Sequence, residues 1–314
     1  VLQDQHFDLP RLDDLPDDQA PVLRSLAEGD ATAIEDRYVE KVLKPAEKKE
    51  YEASSKEEGD AAQKEIDDKV PPAMTTWFAA PYILGPTMIH HLEQDGGYTT
   101  IDEAFTDVPS EEVLFDPRLY GTDAGKPEKI DLKAPDGAKS LDDGTFGATS
   151  WYLILASRVP QGTALKAASG LKGDAYVTYH KDGEKGPVCV SARAIGDNAG
   201  EAAQLGTTLG AWAKKSPAGT VTVSTKGDTV DFVACDPGEA ATSGGTIAVD
   251  LLGLPVSRTQ LYDQLIKQGA NPKQATCYSD AVVATYTAAQ LNDPKFGTSP
   301  DVQRKLAELG AACR

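Results

Sequence analysis

Apolar positions recur every three to four residues through the first third of the chain, and Pro and Gly interrupt them instead of the strict alternation of a half-buried strand. From about Leu2 to Tyr120 this pattern predicts helices. Asp17 or Asp18 can cap one that runs to about Leu43, and four-residue steps along it put Leu26, Asp30, Ile34, Tyr38 and Val42 on one stripe. The next segment, PAEKKEYEASSKEEGDAAQKEIDDK, is so charged that it reads as a solvated helix or a flexible insertion. After Ala73 the chain turns apolar through MTTWFAAPYILG, and Pro86 suits the first turn of a helix PTMIHHLEQD that stops at Gly96 and Gly97. Thr100 and Ser110 are placed to cap two short helices, IDEAF and EEVLF.

Beyond Tyr120 the punctuation shifts to Gly, Asp, Lys and Pro, and short β-prone runs follow: WYLILASRV, DAYVTYHKDG, VCVSARAI and TVTVSTKGDTVDFVAC. These predict strands, with KDG and KGD supplying the positive φ of tight hairpins. The Ala-rich AGEAAQLGTTLGAWAKK between them predicts a helix. Helical spacing returns from about Leu251, in RTQLYDQLIKQG, ATCYSDAVVATYTAAQL and SPDVQRKLAELGAAC. The expected class is α+β. Residues 1–125 form a mostly helical portion, 126–245 a mixed region with antiparallel strands, and 246–314 a helical C-terminal subdomain.

With 314 residues, 40% of them hydrophobic, a sizeable core is within reach. Lys and Arg number 31 against 49 Asp and Glu, a net charge of -18, which repels a phosphate backbone and excludes nucleic acid as a partner. No apolar stretch approaches the roughly 18 residues of a membrane-spanning helix. The four cysteines, Cys189, Cys235, Cys277 and Cys313, lack C-x-x-C spacing and allow three pairings. The sequential one, Cys189 with Cys235 and Cys277 with Cys313, closes each loop inside one region, at about 4 kcal/mol per crosslink in the chain-entropy model. Four buried free thiols are the alternative. Crosslinking implies an oxidising, extracytoplasmic location.

Asp30 interrupts the apolar stripe, so its carboxylate must be paired or hydrogen-bonded if buried. Glu28 lies on the flank, and Gly29 between the two acids lets another backbone approach closely. By pattern alone this also fits a structural ion pair beside a surface Glu. LQDQHFDL followed by LAEGDAT, however, resembles a family of bacterial (actinobacterial-type) secreted or lipoprotein neutral zinc metallopeptidases, gluzincin-like, in which H-E-x-x-H directly precedes LQDQHFDL. In that family two His and a Glu from a later helix hold zinc, and the motif's own Glu activates the bound water. The resemblance implies a zincin-like helical portion, Glu28 as third zinc ligand and Asp30 as a residue orienting a ligand His. PYILGPTMIHHLEQDGG resembles the P-Y-x-x-G helix start of gluzincin aminopeptidases, which implies that Tyr82 donates to the oxyanion of the attacked carbonyl. Packing of an aromatic ring at a helix start is the alternative for Tyr82. Where the family often has H-P-x-x-Y this chain has Asp116, Pro117, Arg118, Leu119 and Tyr120, and Asp116 receives no role.

The resemblance covers about the first 120 residues and leaves the cysteine-bearing tail outside it. It implies that H-E-x-x-H stands upstream of Val1, so that zinc belongs to the complete protein and this chain alone is inactive, with no zinc bound. His6, His90, His91 and His180 do not replace the motif, since adjacent His90 and His91 point about 100° apart on a helix. The expected partner is then a peptide or protein substrate. The alternative is a non-catalytic cell-envelope or secreted binding or scaffolding protein on a degenerate peptidase fold, with an envelope protein as partner. In either case a lipid anchor on an upstream segment could tether it. A blander option makes EGDA and PYILG fold signatures only.

Overall fold

The computed structural model describes residues 2–67, 69–126, 128–183, 186–241 and 247–314. Its first third is helical: α1 (Leu2–Phe7), α2 (Ala20–Lys41), α3 (Pro45–Asp67), α4 (Pro72–Gly96), α5 (Tyr98–Thr106) and α6 (Glu111–Phe115). Then come β1 (Lys139–Gly144), α7 (Gly147–Ala156), α8 (Gln161–Ala168), β2 (Leu171–His180), β3 (Val188–Gly196), α9 (Ala199–Ala213), β4 (Val221–Lys226) and β5 (Thr229–Cys235). The tail holds α10 (Gly253–Lys267), α11 (Pro272–Thr285), α12 (Ala288–Leu291) and α13 (Pro300–Ala312). The class is α+β, with one antiparallel sheet in the order β1-β2-β3-β5-β4. Gly183 and Gly227 carry the positive φ expected at the two hairpins.

Local expectations fail where tertiary burial outweighs the local signal. WYLILASRV is helix α7 and not a strand, with Trp151, Tyr152, Leu153 and Leu155 all buried. A helix surrounded by core is apolar on every side, so its sequence loses the period that distinguishes it from a buried strand. Pro86 does not begin a helix. Both it and Pro81 lie inside α4, each removing one intrahelical hydrogen bond, and the buried face of Leu84, Met88, Ile89 and Leu92 holds the helix through them. Neither Asp17 nor Asp18 caps α2; Gln19 stands at that position and donates through Nε2 to the Val108 carbonyl at 2.6 Å. Thr100 lies within α5, which starts directly after Gly97. Ser110 does precede α6, but its hydroxyl donates to the Gly125 carbonyl at 2.8 Å and leaves the helix amides uncapped.

One buried apolar cluster runs from Val22 through α4, α7 and α8, across β3 and β5, to Ala288. It crosses positions 125 and 245 without a break. The cysteines pair in the sequential order. Cys189 and Cys235 face each other in register across β3 and β5, whereas Cys277 ties α11 to Cys313 at the end of α13. No residue of α13 is fully buried, and the crosslink fastens its end to α11. Two disulfides point to a non-cytoplasmic location. No described helix is long and apolar enough to cross a membrane.

Candidate functional site

The site is set by a crossing of two glycines. A Cβ on Gly29 would lie 2.4 Å from the Gly85 carbonyl carbon, and one on Gly85 would lie 2.3 Å from the Ser25 carbonyl oxygen, so α2 and α4 touch backbone to backbone. Farther along both helices the Arg37–Glu93 ion pair, at 2.9 Å, shows that they run in the same direction. Glu28 and Tyr82 stand just ahead of the crossing, one on each helix, and the Tyr82 hydroxyl donates to Glu28 Oε1 at 3.0 Å. Acceptance by Glu28, then partial burial, raises the Tyr82 pKa, against the opposing charge of Arg24. The phenol therefore stays a donor at neutral pH.

Asp30 is buried, and its partner is an amide rather than a cation: Gln3 Nε2 donates to Asp30 Oδ2 at 2.7 Å and to the Ala27 carbonyl at 3.2 Å. That side chain latches α1 onto α2. Beyond Asp30 the expected apolar stripe runs into solvent, with Ile34, Tyr38 and Val42 all more than half exposed. Gly29→Ala is expected to pry the helices apart, at about 1–3 kcal/mol as for other overpacked contacts. Urea denaturation reads the loss, and spectrophotometric titration should show the Tyr82 pKa moving back toward that of a free phenol.

Tyr82 shares the exposed face of α4 with Met74, Trp77 and Phe78. Trp77 and Phe78, with Leu114 and Phe146, line a cavity of about 410 Å³. A second cavity of about 860 Å³ adjoins it, and Asp17, Asp18, Glu111, Thr145 and Gly147 line both. At this partition the buried start of α7 is satisfied by two carboxylates from elsewhere. Asp174 accepts from the Phe146 and Gly147 amides at 2.8 and 3.1 Å, and Glu111 accepts from the Thr149 amide at 3.0 Å. Burial nonetheless pushes Glu111 up to about 8. Its neighbour Glu112, whose two carboxylate oxygens are shielded and have no hydrogen-bond partner among the described residues, rises to about 9 through burial and then the charge of Asp197.

A second charged group went unassigned in the sequence. Asp116 accepts from Arg118 Nε and Nη2, both at 2.7 Å, and lies 3.3 Å from Arg258 Nη2, which joins the end of α6 to α10. The hydrophilic tripeptide around Pro117 gave no sign that Asp116 is buried and Arg118 largely covered. The histidines are occupied elsewhere: His91 Nδ1 lies 2.7 Å from Asp263 Oδ1, His90 Nε2 3.3 Å from Lys267 Nζ, and His180 Nδ1 2.9 Å from the Gly186 carbonyl. His6 stands edge-on to Phe7.

A catalytic zinc takes three protein ligands. Among the described residues no three His, Cys, Asp or Glu side chains converge as a metal-holding group, and the Glu28 carboxylate is met by Tyr82. These residues do not by themselves fit a zinc ion, and no chemical step follows through one from this chain alone. Compared with known proteins, the chain matches no protein-family profile, no curated protein and no solved structure.

Proposed function

We propose that this chain is part of an extracytoplasmic zinc-dependent metallopeptidase, in which Glu28 supplies one metal ligand and Tyr82 an oxyanion donor. The remaining ligands would come from the H-E-x-x-H segment expected ahead of Val1. The observation that carries the reading is the 3.0 Å hydrogen bond from Tyr82 to Glu28. Two residues singled out by separate motifs, and far apart in the chain, meet because Gly29 and Gly85 let their helices touch. A neutral phenol beside a ligand carboxylate is placed to donate to a carbonyl oxygen as it gains charge. Asp30, bonded to Gln3 at the end of the expected metal-binding helix, would fix how that helix sits on α2.

The test uses the protein together with whatever sequence its gene places ahead of Val1. Glu28→Gln should lose stoichiometric zinc, whereas Tyr82→Phe should keep zinc and lose about a hundredfold in kcat on a peptide substrate. Unchanged zinc affinity in Glu28→Gln would refute the assignment.

The exposed face of Met74, Trp77 and Phe78 favours a second reading, a non-catalytic cell-envelope or secreted scaffolding protein on the same fold. Full-length protein purified without metal, and binding an envelope protein equally well with chelator present, would favour it.

A further inference from the structure

The two adjoining cavities differ in character. The smaller is walled by Leu114, Phe146, Trp77 and Phe78, and the last two are 56% and 62% exposed. Folding has thus left a pair of large aromatic side chains facing an opening of about 410 Å³, within the usual range of ligand pockets. The larger is rimmed by Asp17, Asp18 and Asp143, with Lys129 as its opposing cation, as Arg24 is on the wall of the smaller. Glu128 also lines it, but Lys172 at 2.8 Å offsets that charge. Asp18 is raised by burial and, further, by the charge of Asp17, so a cation arriving beside the pair relieves an existing repulsion.

The partition between the cavities is closely packed. A Cβ on Gly144 would lie 2.5 Å from Asp17 Oδ2, and one on Gly147 would lie 2.6 Å from Glu111 Oε2. Loop and acidic side chains thus pack against each other where the two cavities meet. Because the same five residues line both openings, one extended ligand can occupy both.

We propose that the paired cavities are one binding cleft for a basic peptide segment of another protein, its bulky apolar side chain against Trp77 and Phe78 and its lysine or arginine side chains beside Asp17, Asp18 and Asp143. The proposal goes beyond the peptidase reading and needs no metal. Alternate side chains of an extended peptide offer both chemistries within a few residues. An acyl chain would leave the acidic rim unanswered, a polyamine would leave the aromatic wall bare, and an anionic membrane is repelled by a net charge of -18. Buried aromatic anchors are where such interfaces concentrate their energy, and the surrounding charges set on-rate and selectivity.

The experiment is fluorescence polarisation on the intact chain, with chelator present so that its result is independent of zinc. The probe is a short labelled, amidated peptide with lysines on both sides of a single phenylalanine. Saturable binding is expected, weakening by about tenfold on going from low to high salt. Trp77→Ala and Phe78→Ala should each cost about tenfold in Kd. The double variant Asp17→Asn, Asp18→Asn should lose most of the salt dependence, and Asp301→Asn on α13 should change nothing. Circular dichroism melts establish that each variant is folded. Three results overturn the proposal: no saturable binding, equal affinity for a peptide with glutamates in place of the lysines, or equal affinity for a phenylalanine-free peptide or spermidine.

Discussion

Asp116→Ala is expected to cost about 3–5 kcal/mol, the penalty typical of leaving buried charge without its partner. Asp116 is 5% exposed, and two guanidinium groups converge on it. Burial alone would raise its pKa; Arg258 and Arg118 outweigh that and hold it below the usual carboxylate range. Arg118 has other partners, the half-exposed Asp280 at 3.0 Å and the Ser279 hydroxyl at 3.1 Å. Arg258 is 2% exposed and, among the described residues, keeps only neutral acceptors, Ser169 Oγ at 2.6 Å and the Phe115 carbonyl at 3.0 Å, while its Nε has none. Removing the acid therefore strands Arg258 in the core. Asp116→Asn, which keeps the shape and drops the charge, should fall between wild type and Ala. Asp280→Ala should cost less than about 1 kcal/mol, as for exposed pairs. Urea denaturation of the purified chain measures all three, and a loss below about 1 kcal/mol for Asp116→Ala would show that the triad is not what joins the helical first third to the tail.

That triad also marks where the sequence stops being legible. Strand-forming runs flanked by KDG and KGD are local signals, and β2, β3, β4 and β5 formed where they stand. The disulfide order followed from regional closeness alone, and in-register pairing of β3 with β5 then set Cys189 opposite Cys235. Helix α7 was unreadable because its surroundings, not its own periodicity, decide its state. The Glu28–Tyr82 pair was half legible. Gly29 announced a close approach, but that Gly85 is its counterpart depends on α4 continuing through two prolines, against their local preference. Glu111 and Glu112 stand in the first turn of α6, where acids are common, and nothing local says that the start of α7 and the core will close over them.

Those two acids carry the second large expectation, that stability falls as pH rises from 5 to 8. Burial, reinforced for Glu112 by the charges of Asp197 and Glu111, pushes the pair to about 8 and about 9 from an unfolded value of 4.5. In that window the native state keeps protons that the unfolded chain has released, so the unfolding free energy decreases with pH. The sign is opposite to that of Asp116, whose depressed pKa contributes stability above its unfolded value and loses it only in acid. The contribution is fully present below the unfolded value and is withdrawn as pH climbs toward the folded one. Each acid accounts for about 4 kcal/mol across the interval, since one pKa unit is 1.36 kcal/mol. Urea midpoints at pH 5, 6, 7 and 8 should therefore descend. Glu112→Leu, which replaces an acid that accepts no hydrogen bond from the described residues, should flatten the slope and raise the midpoint at pH 8. Glu111→Gln should flatten the slope while keeping an acceptor for the Thr149 amide. Midpoints that stay level or rise with pH would mean that both carboxylates are ionised in the native state, with water or a cation reaching them from the cavity they line.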